Sequence, residues 1–418
     1  MENLKEKIEL NTIDFCRVWY GLPCNITKEL RGYDSNSQME NEKYIESFMN
    51  TIYDRFLNFP SDEEEKIKWG KEIDRLLKEF ANNSKFINNR AINYLFSKNI
   101  KDITKEFFKK AKAFDDKMSL EEIGQAMRNV WIMNISQVIL NIDVKFTNSI
   151  FAYSMLYPYT DNLLDDKILS DEYKAQISNK LKSIILGKNI DIDSDYENKL
   201  YELIGLIEGD FPRERYKEVF ESVLAIHEAQ VVSLQQQEKE VSPFEKDMLN
   251  ISFIKGGTSV LADGYLVKGN LSFEEIKFML GYGIMLQLCD DLQDVKEDLK
   301  NNHMTIFSLT AKQWDLDNIT NKLINFIDYI VYEELKDFKY EIKEDMDEFL
   351  KENCLMLAFL SMGNSKDYFS YSYIKNIEKY MPFRFSFLKS IGDGFRKKYA
   401  KIRKKYNEET FEQMIDYI

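Results

Sequence analysis

Asp290, Asp291, Asp294 and Asp298 close a segment that begins Gly281-Tyr282-Gly283-Ile284-Met285-Leu286-Gln287-Leu288-Cys289. No turn-forming residue separates the apolar run from the acids. On one helix, at about 100° per residue, the four acids fall within an arc of roughly 100°, and Gln287 lies inside it. Like charges four residues apart cost an isolated helix about 0.2–0.5 kcal/mol per pair, so this face implies a counter-cation or a solvated exterior. A solvated exterior is the ordinary reading in a chain that is 31% charged. The counter-cation is favoured here because the segment carrying the acids is apolar and glycine-bearing, and is expected to be buried. A second acidic group, Asp161-Asn162-Leu163-Leu164-Asp165-Asp166, follows the aromatic-rich run Phe151–Thr160. Two acidic helix ends facing each other across a pocket would hold a divalent metal between them. With His227 and His303 as the only histidines, His-rich zinc sites and a Ser-His-Asp triad are poor fits. Carboxylate oxygens select a hard cation such as Mg²⁺.

The elements that must position these acids are helices. In 418 residues there are only 6 Pro and 16 Gly, while 44% of residues are hydrophobic and 29 are Phe. That composition suits long helices around a large core and disfavours a turn-rich β architecture. The expected fold is all-α, a helical bundle around a deep apolar pocket, with residues 1–115 as a helical extension packed on the bundle and 116–418 as the domain itself. The net charge of −14 repels phosphate backbones, so nucleic acid is not an expected partner. Cys16, Cys24, Cys289 and Cys354 show no CxxC spacing, which suits reduced thiols. The start, MENLKEKIEL, lacks the apolar region of a signal peptide, and no apolar run reaches the roughly 18 residues of a membrane span. A soluble, cytoplasmic protein is expected.

Along the chain, breaks are expected near Gly21-Leu22-Pro23, Asn58-Phe59-Pro60-Ser61-Asp62, Asn82-Asn83-Ser84, Gly209-Asp210-Phe211-Pro212 and Asn301-Asn302-His303, with an exposed loop at 190–195. Ser61 is a plausible helix cap, and so is the region around Ser119. Tyr153, Tyr157, Asp161 and Asp165 recur every four residues on one helical face, which would put Tyr157 about 6 Å and Tyr153 about 12 Å below Asp161. They line a substrate pocket or simply pack the core; Pro158 is expected to kink the helix. Between Lys379 and Lys405 ten cations stand against one acid, Asp393, and are interleaved with Phe383, Phe385, Phe387 and Phe395. The segment reads as a solvated helix, as a source of diphosphate contacts, or as a surface for reversible contact with anionic membrane through residues 384–405.

Lys255-Gly256-Gly257-Thr258, then Gly283, then Gln287-Leu288-Cys289-Asp290-Asp291-Leu292-Gln293-Asp294 resembles the class I isoprenoid synthase superfamily. Trans-prenyltransferases of that superfamily place a Lys-Thr element before a Phe-Gln-Ile-x-Asp-Asp-x-x-Asp helix. Leu286-Gln287-Leu288 followed by Asp294-Val295-Lys296-Glu297-Asp298 resembles even more the second motif of squalene and phytoene synthases. Asp290, Asp294 and Asp298 also reproduce the metal-ligand spacing of terpene synthases. In the first group Asp161 and Asp165 match the outer acids of DDxxD, but Asn162 replaces the second. The resemblance covers roughly residues 150–310.

What the resemblance implies is a Mg²⁺-dependent enzyme, binding three ions, that ionises an allylic polyprenyl diphosphate and releases pyrophosphate, followed by cyclisation, elimination or prenyl coupling. Asp161, Asp165, Asp290, Asp291, Asp294 and Asp298 would hold the metal. Lys255, with Arg213 and Arg215, would bind diphosphate, and Tyr153, Tyr157, Gln287 and Gly283 would line the substrate pocket. A chain-elongating trans-polyprenyl diphosphate synthase is the first alternative. It is disfavoured because Lys167-Ile168-Leu169-Ser170 stands where elongating enzymes carry paired arginines. A non-catalytic helical protein retaining the fold is the second. A homodimer is compatible with all three.

Overall fold

The structure is a computed structural model and describes residues 3–165, 168–237 and 245–418, less the side chains of Tyr157 and Asp165. Among the described residues there is helix and no strand, so the protein is all-α, as its composition predicts. The chain opens with α1 (Leu4–Gly21) and continues through α2 (Ser35–Leu57), α3 (Glu63–Asn83) and α4 (Asn89–Ser97). Next come α5 (Ile100–Phe114), α6 (Leu120–Ile139), α7 (Asn148–Asp165), α8 (Asp171–Ile185), α9 (Asp195–Asp210) and α10 (Lys217–Ser233). The central pair is α11 (Met248–Lys268) and α12 (Phe273–Gln293), followed by α13 (Val295–Asn301), α14 (Ile306–Ala311) and α15 (Asp317–Tyr329). The last four are α16 (Lys343–Asn364), α17 (Tyr371–Ile377), α18 (Phe385–Lys405) and α19 (Glu408–Tyr417).

These helices form two compact units. One comprises Met1–Thr27 and Asn99–Lys343, the other Lys28–Lys98 and Glu344–Ile418. This division differs from the boundary at residue 115 expected from sequence. The reason lies in α1, which inserts Phe15 and Trp19 among Phe253 and Phe326 of the larger unit. Both anchors are almost fully buried. The smaller unit gathers Trp69, Ile73 and Met414 into a core, with Phe59 and Tyr417 packed around it.

Local chemistry sets the helix ends. Ser119 and Glu122 form a reciprocal capping box at the start of α6, and Ser272 and Glu275 do the same for α12. At α3 the cap is Asp62, not Ser61: its carboxylate accepts from the Glu64 and Glu65 amides. Asn302, in the left-handed region at φ 56°, ends α13. Helix α7 continues through Pro158.

The middle of α12 is apolar and buried on every side, with Met279, Leu280, Ile284, Met285 and Leu288 at zero exposure. It runs antiparallel to α11, since Gly256 meets Gly283 while Gly264 meets Met279. At the first of these crossings the backbones touch. A Cβ on Gly283 would stand 2.1 Å from the Gly256 carbonyl oxygen, and one on Gly256 would stand 2.3 Å from the Gln287 Cβ. Only glycine permits that approach. The crossing brings Lys255 of α11 to the end of α12 that carries the acids.

Candidate active site

Asp161 lies near the end of α7, a helix pinned by its neighbours. The Tyr159 hydroxyl donates to Asp115, the Tyr159 carbonyl accepts from Tyr196 of α9 at 2.7 Å, and Thr160 bonds Gln230 of α10 at 3.3 Å. Asp115 is itself paired with Lys199 at 2.8 Å. So held, the Asp161 carboxylate faces Lys255 of α11, with Oδ1 3.7 Å from Nζ.

The second group is built on the end of α12. Asp294 interrupts the helix, yet its amide bonds the Asp290 carbonyl at 2.9 Å and its carbonyl accepts the Asp298 amide at 2.9 Å. The i,i+4 stacking of the three acids therefore survives the break. Asp291 is buried. Its Oδ1 accepts from Gln287 Nε2 at 2.8 Å, while its Oδ2 has no hydrogen-bond partner. Asp298 is buried too, accepting from Thr305 Oγ1 at 3.3 Å, with His303 Nδ1 at 3.7 Å.

Each of these carboxyls is held above the ordinary range. Burial pushes Asp290 up to about 6; Asp294 and Asp161 add repulsion, while Lys255 and Arg128 pull back. Burial takes Asp291 to about 7 against the bonds from Gln287 and Ser252. Asp298 rises to about 8, through burial and then the charges of Asp291 and Asp294. Asp294 shifts up through burial, with Arg128 opposing. Asp290 keeps solvent access although protein crowds it enough to desolvate it, which is the situation of a carboxylate lining a concavity.

The two acidic groups thus lie within electrostatic reach of one another and of a shared lysine. Arg128 of α6 joins them. Nothing in its sequence surroundings marks it, because it sits in an ordinary amphipathic stretch. Its position follows from the next residue, Asn129, whose amide donates to Asp263 Oδ1 of α11 at 3.1 Å. Asp263 is fully buried, its Oδ2 has no partner, and burial holds its carboxyl well above the usual range.

Other expected site residues lie elsewhere. Arg213 donates to the Ile184 and Ile185 carbonyls at the end of α8, pairs with Glu208 at 2.9 Å, and lies over the Phe220 ring at 3.8 Å. Arg215 lies near the Tyr216 ring, and Tyr216 packs on Gly269. From Lys255 to Gly269 the backbone climbs about 21 Å at ~1.5 Å per residue, so both arginines belong to the opposite end of the unit. Tyr153 is a core residue, 2% exposed, whose hydroxyl donates to the Ser259 carbonyl at 3.2 Å. The cavity beside it is about 10 Å³. Gly283 is sealed into the α11–α12 crossing, and Gln287 flanks that crossing with its amide on Asp291. The side chains of Tyr157 and Asp165 lie outside the described residues, and so does Lys167.

Among the described residues no three acidic, His or Cys side chains converge on one point as a ready metal cage. The candidate donor set nonetheless suits a hard divalent cation: its donor atoms would all be carboxylate oxygens, one is a buried orphan, and the carboxyls repel one another. Protein groups hold them apart, Lys255 on Asp161, Gln287 on Asp291 and Thr305 on Asp298. No known family profile matches the sequence, and no curated protein sequence does.

Proposed function

We propose that the protein is a Mg²⁺-dependent class I terpene synthase of isoprenoid-synthase type, which ionises an allylic polyprenyl diphosphate and releases pyrophosphate. The observation that carries this reading is Lys255, which pairs with Asp161 and acts electrostatically on Asp290 and Asp291 of α12. Two acidic motifs 129 positions apart, between Asp161 and Asp290, share one cation. A solvated acidic face would place no such lysine within reach of both.

Asp161, Asp290, Asp294 and Asp298, with Asp291 behind them, would hold Mg²⁺. When bound, the metal supplies the positive charge that a departing diphosphate needs. Lys255 and Arg128, both within electrostatic reach of Asp290, would add donors that orient the phosphate oxygens. Gln287 fixes the rotamer of Asp291. We place the enzyme in the cytoplasm, a reading supported by four free cysteines and compatible with the absence, among the described residues, of any helix long and apolar enough to cross a membrane.

Incubation with Mg²⁺ and allylic diphosphates from ten to thirty-five carbons, with and without isopentenyl diphosphate, tests the proposal. Pyrophosphate and a hydrocarbon or alcohol are the expected products without isopentenyl diphosphate. Products that appear only when it is added, each longer by one unit, would identify a chain-elongating synthase. Absence of pyrophosphate across the panel would remove the enzymatic reading.

A further inference from the structure

Helix α18 sorts the basic residues of the C-terminal segment into two sets. One set holds the helix in the smaller unit. Arg384 forks onto Glu42, with Nε to Oε1 at 2.9 Å, and Lys398 reaches Asn50 and the Tyr53 ring. Lys405 donates to the Leu57 carbonyl, and Arg403 lies over Phe411. Ile402, buried, marks the same inward side.

The other set faces outward. Lys389, Arg396, Lys397, Lys401 and Lys404 are all exposed. At about 100° and ~1.5 Å per residue they occupy an arc of roughly 140° along about 22 Å of one straight helix. A single acid lies within the arc, Asp393, paired with Arg396 at 2.6 Å. Phe395 and Tyr399, whose rings stack with centroids 6.3 Å apart and planes 8° from parallel, lie outside the arc, Phe395 on the side of Ile402. Phe395 is 54% exposed and Tyr399 37%.

We propose that this face is a reversible docking surface for the anionic leaflet of a membrane. A local excess of positive charge on a chain of net charge −14 needs a negative partner to offset it. The convex face of a single helix can lie against a planar surface and offers no groove to track a nucleic-acid strand. The aliphatic stems of the outward lysines can lie against the headgroup boundary while their ammonium groups stay hydrated. Contact of this kind is electrostatic, so salt reverses it. The surface stands on charge and shape independently of the proposed reaction, although a membrane-partitioning prenyl substrate would give the contact a use.

The test is co-sedimentation of the full chain with vesicles of phosphatidylcholine containing phosphatidylserine, against pure phosphatidylcholine, over a range of salt. Binding is expected on the anionic vesicles at low salt, released as salt rises, and absent on the neutral ones. Each surface lysine accounts for roughly fivefold in partitioning, so the triple variant Lys397→Gln, Lys401→Gln, Lys404→Gln should lose on the order of a hundredfold. The substituted side chains are exposed, and circular dichroism should be unchanged; each single variant gives the same readout with a smaller loss. Absence of binding at every salt concentration overturns the proposal, as does a triple variant that binds like the parent. Tighter binding to an oligonucleotide or an acidic polypeptide, lost in the same triple variant, reassigns the face to that partner. Turnover of a short, soluble diphosphate, measured without vesicles, reports on the reaction separately.

Discussion

Gly256 and Gly283 meet backbone to backbone, with room for no Cβ on either: one on Gly283 would stand 2.1 Å from the Gly256 carbonyl oxygen. The opposing atom is main chain and cannot rotate away. Gly283→Ala should therefore force α11 and α12 apart, costing about 1–3 kcal/mol or more and moving Lys255 off the acids. Gly124→Ala is the control, because it lies inside α6 with nothing within 4 Å of its Cβ position. That change should stabilise by about 0.5–1 kcal/mol through helix propensity. Thermal melts of the two variants check the contrast. Equal melting temperatures would show that the crossing tolerates a methyl group.

The same crossing explains what was legible in the sequence. Gly283, Gln287 and Asp290 lie on one apolar helix, and periodicity alone predicts that the segment is buried and that its acids share a face. The capping boxes at Ser119 and Ser272 are likewise local, and so are readable. Partnership between helices is not. Nothing near Arg128 says that Asn129 will dock on Asp263, and nothing near Arg213 says that its guanidinium will meet the carbonyls of Ile184 and Ile185. Both depend on contacts more than 25 residues away in the chain, and residue spacing carries no information about them. The insertion of α1 into the larger unit, which moves the unit boundary away from residue 115, has the same origin.

Asp294→Asn and Asp161→Asn should abolish pyrophosphate release and leave the helical fold intact. A metal ligand contributes several kcal/mol of transition-state charge stabilisation, so a loss of about a hundredfold or more is expected. Asp298→Asn should show a second effect of opposite sign. In the metal-free protein the Asp298 carboxyl is buried among like charges, so removing its charge should raise the melting temperature while activity falls. Retained turnover in any of the three would remove that residue from the metal set.

The raised carboxyls fix the direction of a pH effect. Their unfolded value is near 3.8, while in the folded chain Asp290 lies at about 6, Asp291 at about 7 and Asp298 at about 8. Between these limits the folded protein binds protons that the unfolded chain has released, so the stability these groups contribute is complete below the unfolded value and is lost as pH rises through 6 to 8. Glu42 and Asp115 act in the opposite sense: burial pushes them up, but bonds from Arg384 and Lys199 outweigh it, and their contribution is lost only in acid. Metal competes with the retained protons, so Mg²⁺ should bind more tightly, and raise the melting temperature more, at pH 8 than at pH 6. Melts at both pH values with and without Mg²⁺ check this. A Mg²⁺ effect independent of pH would separate the metal from these carboxyls.

Arg213 and Lys255 should separate structural from functional cations. The Arg213 guanidinium satisfies the last carbonyls of α8, pairs with Glu208 and covers Phe220, at the end of the unit remote from the acids. Arg213→Ala leaves two helix-terminal carbonyls without their donor. It should cost about 1–3 kcal/mol of stability while turnover per folded molecule stays at the parent level. Lys255→Gln removes the cation shared by the two acidic groups and should lower kcat by about a hundredfold, since the lysine then no longer meets the charge that develops on the leaving phosphate. Arg128→Gln acts at an exposed position, where stability should change by no more than about 0.5 kcal/mol, and its effect should fall mainly on KM. Steady-state kinetics normalised to the folded fraction, with melts of the same preparations, distinguish the three. If Arg213→Ala loses turnover at full foldedness, or Lys255→Gln keeps it, the diphosphate end of the site lies at the arginine end of the unit.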